Sequence, residues 1–149
     1  MLLRLVVALV LGGLIGLERE LVGKEAGVRT AMMVAGGAAI FSIIGISLPY
    51  IIAASGGNLT DILAHNGGFL AVIANIVVGI GFLGAGIIIK TEEHVRGLTT
   101  AAVIWTTAAV GTLAGIGLLE FAAAAAVIIA VVLYVLRKIG ISDRAAQQK

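Results

Sequence analysis

The sequence has no cysteine, a single proline and few aromatic side chains, and only 12% of its 149 residues carry a formal charge. The missing cysteine excludes disulfides, thiolate metal sites, thiol catalysis and palmitoyl anchors. The charged share is about half the ~25% of soluble domains. A small soluble domain has too much surface for its volume to hide a chain that is 60% apolar. No basic stretch is interleaved with aromatics, so nucleic acid is not an expected partner, and the net charge of +2 reads as membrane topology. What is left is Ala, Val, Ile, Leu and Gly, a composition that suits the lipid bilayer as its apolar solvent.

A span needs ~20 mainly apolar residues to cross ~30 Å of hydrocarbon. Residues 1–17 form such a run, broken only by Arg4, whose side chain can snorkel to the surface. Glu18-Arg19-Glu20 follows instead of a small-residue cleavage site, so this run reads as an uncleaved span. Residues 31–54, with Pro49 in the last turns, and 69–89 are the next two. Residues 98–136 as one helix would be roughly 58 Å long at ~1.5 Å per residue, nearly twice a bilayer. Gly115, Gly117 and Glu120 mark a tight turn that divides this run into 98–117 and 121–136. The expected fold is therefore all-α: a polytopic bundle of five transmembrane helices over residues 1–138, with a short tail over 139–149. Residues 55–68, including Asp61 and His65, read as a polar loop.

Charge placement tests this count independently. Arg19, Lys24 and Arg29 lie between spans one and two, Lys90 and Arg96 between three and four, and Arg137, Lys138, Arg144 and Lys149 after span five. Five spans put these nine of the ten basic residues on one side, which the positive-inside rule makes cytoplasmic. The expectation is a cell-membrane (inner-membrane) protein with its N-terminus outside and its C-terminal tail in the cytoplasm.

Residues 27–45 align with 97–115, with identities at Gly27/Gly97, Thr30/Thr100, Ala31/Ala101, Ala38/Ala108, Ala39/Ala109 and Gly45/Gly115. Gly13-Leu-Ile-Gly16 and Gly81-Phe-Leu-Gly84 precede them. Either the chain holds a parallel two-helix repeat, or Ala/Gly-rich helices align by chance.

Small residues let membrane helices approach closely. Gly12/Gly16 and Gly111/Gly115 have the spacing of one helical face, and allow a homo-oligomer or packing within one bundle. Span three is denser in glycine, with Gly79, Gly81, Gly84 and Gly86, and is expected to be the central, closely packed helix. Those glycines serve packing, or they permit movement or line a narrow path. Asn75 is the only amide well inside a span. It must pair with another helix, with water or with a ligand, because an unpaired amide costs several kcal/mol in hydrocarbon. Trp105, mid-span, is expected to pack within the bundle with its N–H satisfied. No charged side chain lies at the middle of a span, which argues against a self-contained proton-driven pump. No Ser/His/Asp set or metal cluster can be assembled, and His65 and His94 fall on opposite sides, so an enzyme is not expected.

Glu18, Arg19, Glu20, Arg29, Thr30, Arg96, Thr99 and Thr100 gather at the charged face. Thr30 and Thr99 are candidate helix caps. Arg96 and Glu18 could form a partly buried ion pair. Glu18 and Glu20 are the metal-ligand candidates, because carboxylates suit Mg²⁺. Mixed charges at a membrane surface also pair with each other and with headgroups. No resident cofactor is expected, with Mg²⁺ the one ligand considered.

Gly13-Leu-Ile-Gly-Leu-Glu-Arg-Glu20, Ala26-Gly-Val-Arg-Thr30, Gly79-Ile-Gly-Phe-Leu-Gly-Ala-Gly-Ile87 and Val95-Arg-Gly-Leu-Thr-Thr-Ala-Ala102, followed by Trp105, together resemble the MgtC/SapB family of inner-membrane proteins. The resemblance covers roughly residues 5–118. It implies a multi-span membrane domain linked to magnesium homeostasis, growth in low magnesium and, in pathogens, survival inside host cells. It also implies regulation of other membrane proteins, including the ATP synthase, more than magnesium transport. The chain departs from the family's pattern at Asn75, often Gln; at Ala71, often Arg; at Ala31, often His; and near Gly67-Gly68, where an Asp-Pro is missing. A cytoplasmic domain carried by longer members has no counterpart in this sequence. Two readings follow: a regulator that binds other membrane proteins, or a cation channel or transporter with its path along span three.

Overall fold

The computed structural model describes residues 1–65, 68–91 and 94–139. Six helices follow in order: α1 (Leu2–Leu21), α2 (Val28–Ala54), α3 (Leu59–His65), α4 (Gly68–Ile87), α5 (Leu98–Ile116) and α6 (Leu119–Lys138). Between α4 and α5 lies a minimal antiparallel hairpin, β1 (Ile89–Lys90) against β2 (Val95–Arg96), with Ile89 opposite Arg96. Glu92, Glu93, Arg144 and Lys149 fall outside the described residues, as does the tail from residue 140.

α2 is the axis of the bundle, because its small side chains admit a helix on each side. Ala31, Ala35 and Ala39, spaced by four, are all buried. On one side α1 brings Gly12 and Gly16: a Cβ at Gly12 would stand 2.6 Å from the Ala31 carbonyl oxygen, and one at Gly16 would stand 2.7 Å from Val28 Cα. On the other side α5 brings Gly111 onto the Ala35 backbone, and a Cβ at Gly115 would stand 2.7 Å from the Ala39 carbonyl oxygen. Both glycine pairs are thus spent inside one chain, one of the two uses their spacing allows. Ala8, Leu11 and Ile15 of α1, Val103, Val110 and Ala114 of α5, and Ala122 and Ala126 of α6 complete the core.

The break between α5 and α6 falls where the glycines place it. Gly117 adopts the left-handed conformation (φ +98°) after α5. Its N–H donates to the Ala114 carbonyl and that of Leu118 to the Leu113 carbonyl, the paired bonds of a glycine-terminated helix. Arg4 is held here and does not simply snorkel: its Nη1 donates to the Gly115 carbonyl at 3.2 Å, satisfying one of the end carbonyls that a helix leaves unpaired.

Among the described residues, four helices are long and apolar enough to cross a membrane: α2, α4 over Leu70–Ile87, α5 and α6. α1 is as long as α6 but carries Arg4, Glu18, Arg19 and Glu20. Two expectations are corrected. Residues 55–68 are not wholly loop, because α3 forms there, capped by the Asn58 side-chain oxygen on the Thr60 N–H at 3.0 Å. Nor is α4 the central helix: only 6% of its Leu70–Ile87 stretch is buried, against 50% of α5. Glycine density alone does not place a helix inside. α4 packs on α2 and α5 along one side, and its other sides stay open.

Candidate functional site

Two groups of polar residues stand out, one at the C-terminal end of α1 and one along α4. At the first, consecutive residues of α1 reach three different helices. Arg19 is 96% buried, at 4% exposure, and its Nη2 donates to Thr100 Oγ1 in the first turn of α5 at 2.7 Å. Glu18 leans toward α6, where Glu18 Oε1 lies 3.9 Å from Arg137 Nη1. Arg137 in turn lies over the Tyr134 ring at 5.4 Å. Glu20 turns to α2 and accepts the Val28 N–H at 2.8 Å. Residues one and two positions apart on a helix point in different directions, so each binds a different neighbour. Glu18 Oε2 and Arg19 Nε are buried without a partner among the described residues.

This geometry redistributes the expected roles. Thr30 and Thr99 cap nothing: Gly27 and Gly97 hold the N-cap positions, and Glu20 supplies the acceptor at the start of α2. Both threonines are exposed, as are Arg29 and Arg96. Glu18 pairs with Arg137, whereas Arg96 on β2 has no ion-pair partner among the described residues. Glu18 and Glu20 diverge and do not share a site, and no group of three or more metal-ligating side chains forms among the described residues. Thr100, expected only as part of the charged face, is the acceptor that holds Arg19. Its sequence signal is its place in the first turn of α5, which faces the end of α1.

Along α4, Asn75 lines an open cavity of about 470 Å³ against α2, with Met33, Gly37, Phe41 and Gly79. Its amide is exposed and has no protein partner among the described residues. Gly79, Gly81 and Gly86 have nothing within 4 Å of where a Cβ would stand, and only Gly84 packs, 3.5 Å from the Ala101 side chain. Trp105 is half exposed rather than packed within the bundle, and lines a second cavity of about 280 Å³ between α4 and α5. Its ring lies on the side of α5 that the peripheral α4 only partly covers.

Comparison with known proteins places these features in a family. Residues 5–141 match the MgtC family. A protein MgtC of Brucella abortus is 45% identical over 130 residues, covering 87% of this chain and 48% of that protein. A protein MgtC of Salmonella typhimurium is 41% identical over 127 residues, covering 85% of this chain and 48% of that protein. An uncharacterised protein of Synechocystis is 45% identical over 117 residues, covering 78% and 44%. The chain spans about half the length of the curated relatives it matches. No solved structure matches it.

Proposed function

The chain belongs to the MgtC family, and from that premise we propose that it is a non-enzymatic membrane module linked to magnesium or other cation homeostasis, acting by binding other membrane proteins. The observation that carries this reading is the close packing of α1, α2, α5 and α6. Their core is built of apolar side chains, and the glycine contacts bring α1 and α5 directly onto the α2 backbone. The buried hydroxyls of Ser42 and Thr107 are turned back onto their own helices, at 2.8 Å to the Ala38 carbonyl and 2.7 Å to the Val103 carbonyl. Ion paths and proton relays use ionisable groups along a cavity, whereas among the described residues the buried ionisable side chain, Arg19, sits at the helix ends and is tied to Thr100. Exposed Lys24, Glu25, Arg29, Lys90, His94 and Arg96 then offer partners a charged surface at the helix ends.

In this reading α1 is a fifth span, the N-terminus lies outside and the charged ends face the cytoplasm. Leu3, Val6, Val10, Leu14 and Leu17 form an exposed apolar stripe on α1 suited to lipid. The pairs Gly16–Ala31 and Gly84–Ala101, in matching positions of the aligned segments, favour a parallel repeat.

A second reading, a cation path along α4, draws on the unpartnered Asn75 beside its cavity. Magnesium flux into indicator-loaded proteoliposomes separates the two. The regulator reading expects no flux above empty vesicles. It also expects partner proteins recovered from native membranes and lost when Arg29 and Arg96 are both changed to Ala. Flux abolished by Asn75→Ala would replace it with the second reading.

A further inference from the structure

α1 and α2 lie side by side but differ in apolar length. Between Arg4 and Glu18, α1 has 13 residues without a charge, ~20 Å at ~1.5 Å per residue. From Ala31 to Ala54, α2 has 24 such residues, ~36 Å. At the charged end the two helices start level, because Glu20 accepts the Val28 N–H at 2.8 Å. At the other end they do not. Arg4 is bonded to the Gly115 carbonyl, and a Cβ at Gly115 would stand 2.7 Å from the Ala39 carbonyl oxygen and 2.8 Å from Ser42 Cβ. Arg4 therefore lies level with the Ala39–Ser42 turn of α2, and exposed Glu120 stands nearby in the first turn of α6. Past Ser42, α2 runs on for 12 residues, ~18 Å, to Ala54. Its exposed face there is apolar: Ile44, Leu48, Ile51 and Ile52.

A flat bilayer with ~30 Å of hydrocarbon suits only one of these helices at a time. Set at the tip of α2, it buries Arg4 and Glu120. Set at Arg4, it leaves the apolar stripe of α2 in water. Tilting the bundle does not help, because packed helices lie ~8–10 Å apart, too close to absorb a step of ~18 Å. Nor can Arg4 reach outward while Gly115 holds it.

From this mismatch we propose that the chain holds the bilayer at two depths. Along α1 and α6, headgroups and water dip to Arg4 and Glu120; along α2 the hydrocarbon keeps its full depth. The surface that α1 and α6 present thus fits short-chain lipid. Thinning a bilayer costs little per ångström, whereas a charge left in hydrocarbon is expensive, so the lipid yields before the clamp does. Longer chains press hydrocarbon over Arg4 and work against its bond to Gly115. The inference rests on α1 as a span, as in the reading above, and is independent of partner binding at the charged ends.

With no cysteine in the chain, a polarity-sensitive thiol dye can be placed at single sites in phosphatidylcholine vesicles. Leu118 and Ile51 are both exposed, and Ile51 stands farther from the charged ends. The dye on Leu118→Cys should nevertheless report water and that on Ile51→Cys hydrocarbon. Both wet or both dry would overturn the proposal. The folded-to-unfolded ratio of the full chain should fall about tenfold or more from short-chain to long-chain vesicles. Arg4→Met, with no charge to bring to the surface, should fall less. An equal fall in the two proteins would also overturn the proposal. An impermeant reagent on Leu2→Cys separates this inference from the span it rests on. Labelling from the side opposite Lys24, with Leu118 and Ile51 alike, leaves the span and removes the step. Labelling only from the Lys24 side removes both.

Discussion

The Arg19 guanidinium donates to the Thr100 hydroxyl at 2.7 Å and so ties the end of α1 to the start of α5 across 81 residues of sequence. The other end of α1 is tied to the same helix, where Arg4 reaches the Gly115 carbonyl at 3.2 Å. The two arginines clamp α1 along the length of α5, and the interior between them is filled with Ala, Ile and Val.

The first clamp yields a stability prediction. A hydrogen bond to a buried charged group contributes about 1.5–3 kcal/mol, and removing the acceptor leaves the charge unpaired. Thr100→Val should therefore lower unfolding stability in detergent by an amount in that range, while Thr100→Ser should retain most of it. In the double variant with Arg19→Met the loss should shrink, because no buried cation is left unpaired. Strictly additive effects in that cycle would show that the bond does not hold the two helices.

The glycines divide into two classes that a melting experiment separates. Gly111 lies against the Ala35 backbone, which cannot yield as a flexible side chain can. Gly111→Ala should cost about 1–3 kcal/mol or more through overpacking. Gly79→Ala adds a methyl to open space and should be neutral or stabilising by up to about 1 kcal/mol, since alanine is the better helix former. Equal losses at both positions would contradict the packing described.

Much of this arrangement was legible in the residues. The 39-residue, mainly apolar run 98–136 was too long for one span, and the Gly115/Gly117 pair located its break, because glycine ends a helix in the left-handed conformation without strain. The Gly12/Gly16 and Gly111/Gly115 spacings marked true helix faces. Spacing alone did not say that α2 would supply the partner for both, since that depends on which helices become neighbours. The same limit explains α4: its glycines look like packing residues, yet they face outward. At the charged end, residue types predicted a polar cluster but not its pairing. Glu18, Arg19 and Glu20 are consecutive, and the turn of the helix sends each to a different neighbour. α3 was missed because its signal is local, an Asn58 cap before about two turns of helix.

The α5–α6 turn should be sensitive at Gly117. Its φ of +98° disfavours any side chain, and a Cβ there would stand 2.8 Å from Arg4 Nη2. Gly117→Ala should cost about 1–2 kcal/mol from the backbone alone and should also displace Arg4. Arg4→Met should cost up to ~2 kcal/mol, the range for a cation at a helix C-terminus. In the Gly117→Ala background that cost should be smaller, because the contact is already disturbed. Hydrogen exchange at the amides of Gly117 and Leu118 reads out both changes. Full protection in Gly117→Ala would refute the coupling.

The clamp at both ends of α1 also predicts topology. If α5 crosses the bilayer, the Arg4–Gly115 and Arg19–Thr100 bonds carry α1 across beside it, despite the charges at its ends. Its N-terminus then shares a side with the α5–α6 turn, and Lys24 lies opposite. Single cysteines at Leu2, Ser55 and Leu118 should react with an impermeant thiol reagent added outside the cell membrane. Cysteines at Lys24 and Lys90 should react only after the membrane is opened. The Leu2→Cys result decides the span count: external labelling gives five spans with the N-terminus outside. Protection of Leu2→Cys alongside Lys24→Cys would put both ends of α1 on one side, and the arginine clamp would then have to lie along the membrane surface, incompatible with α5 as a span.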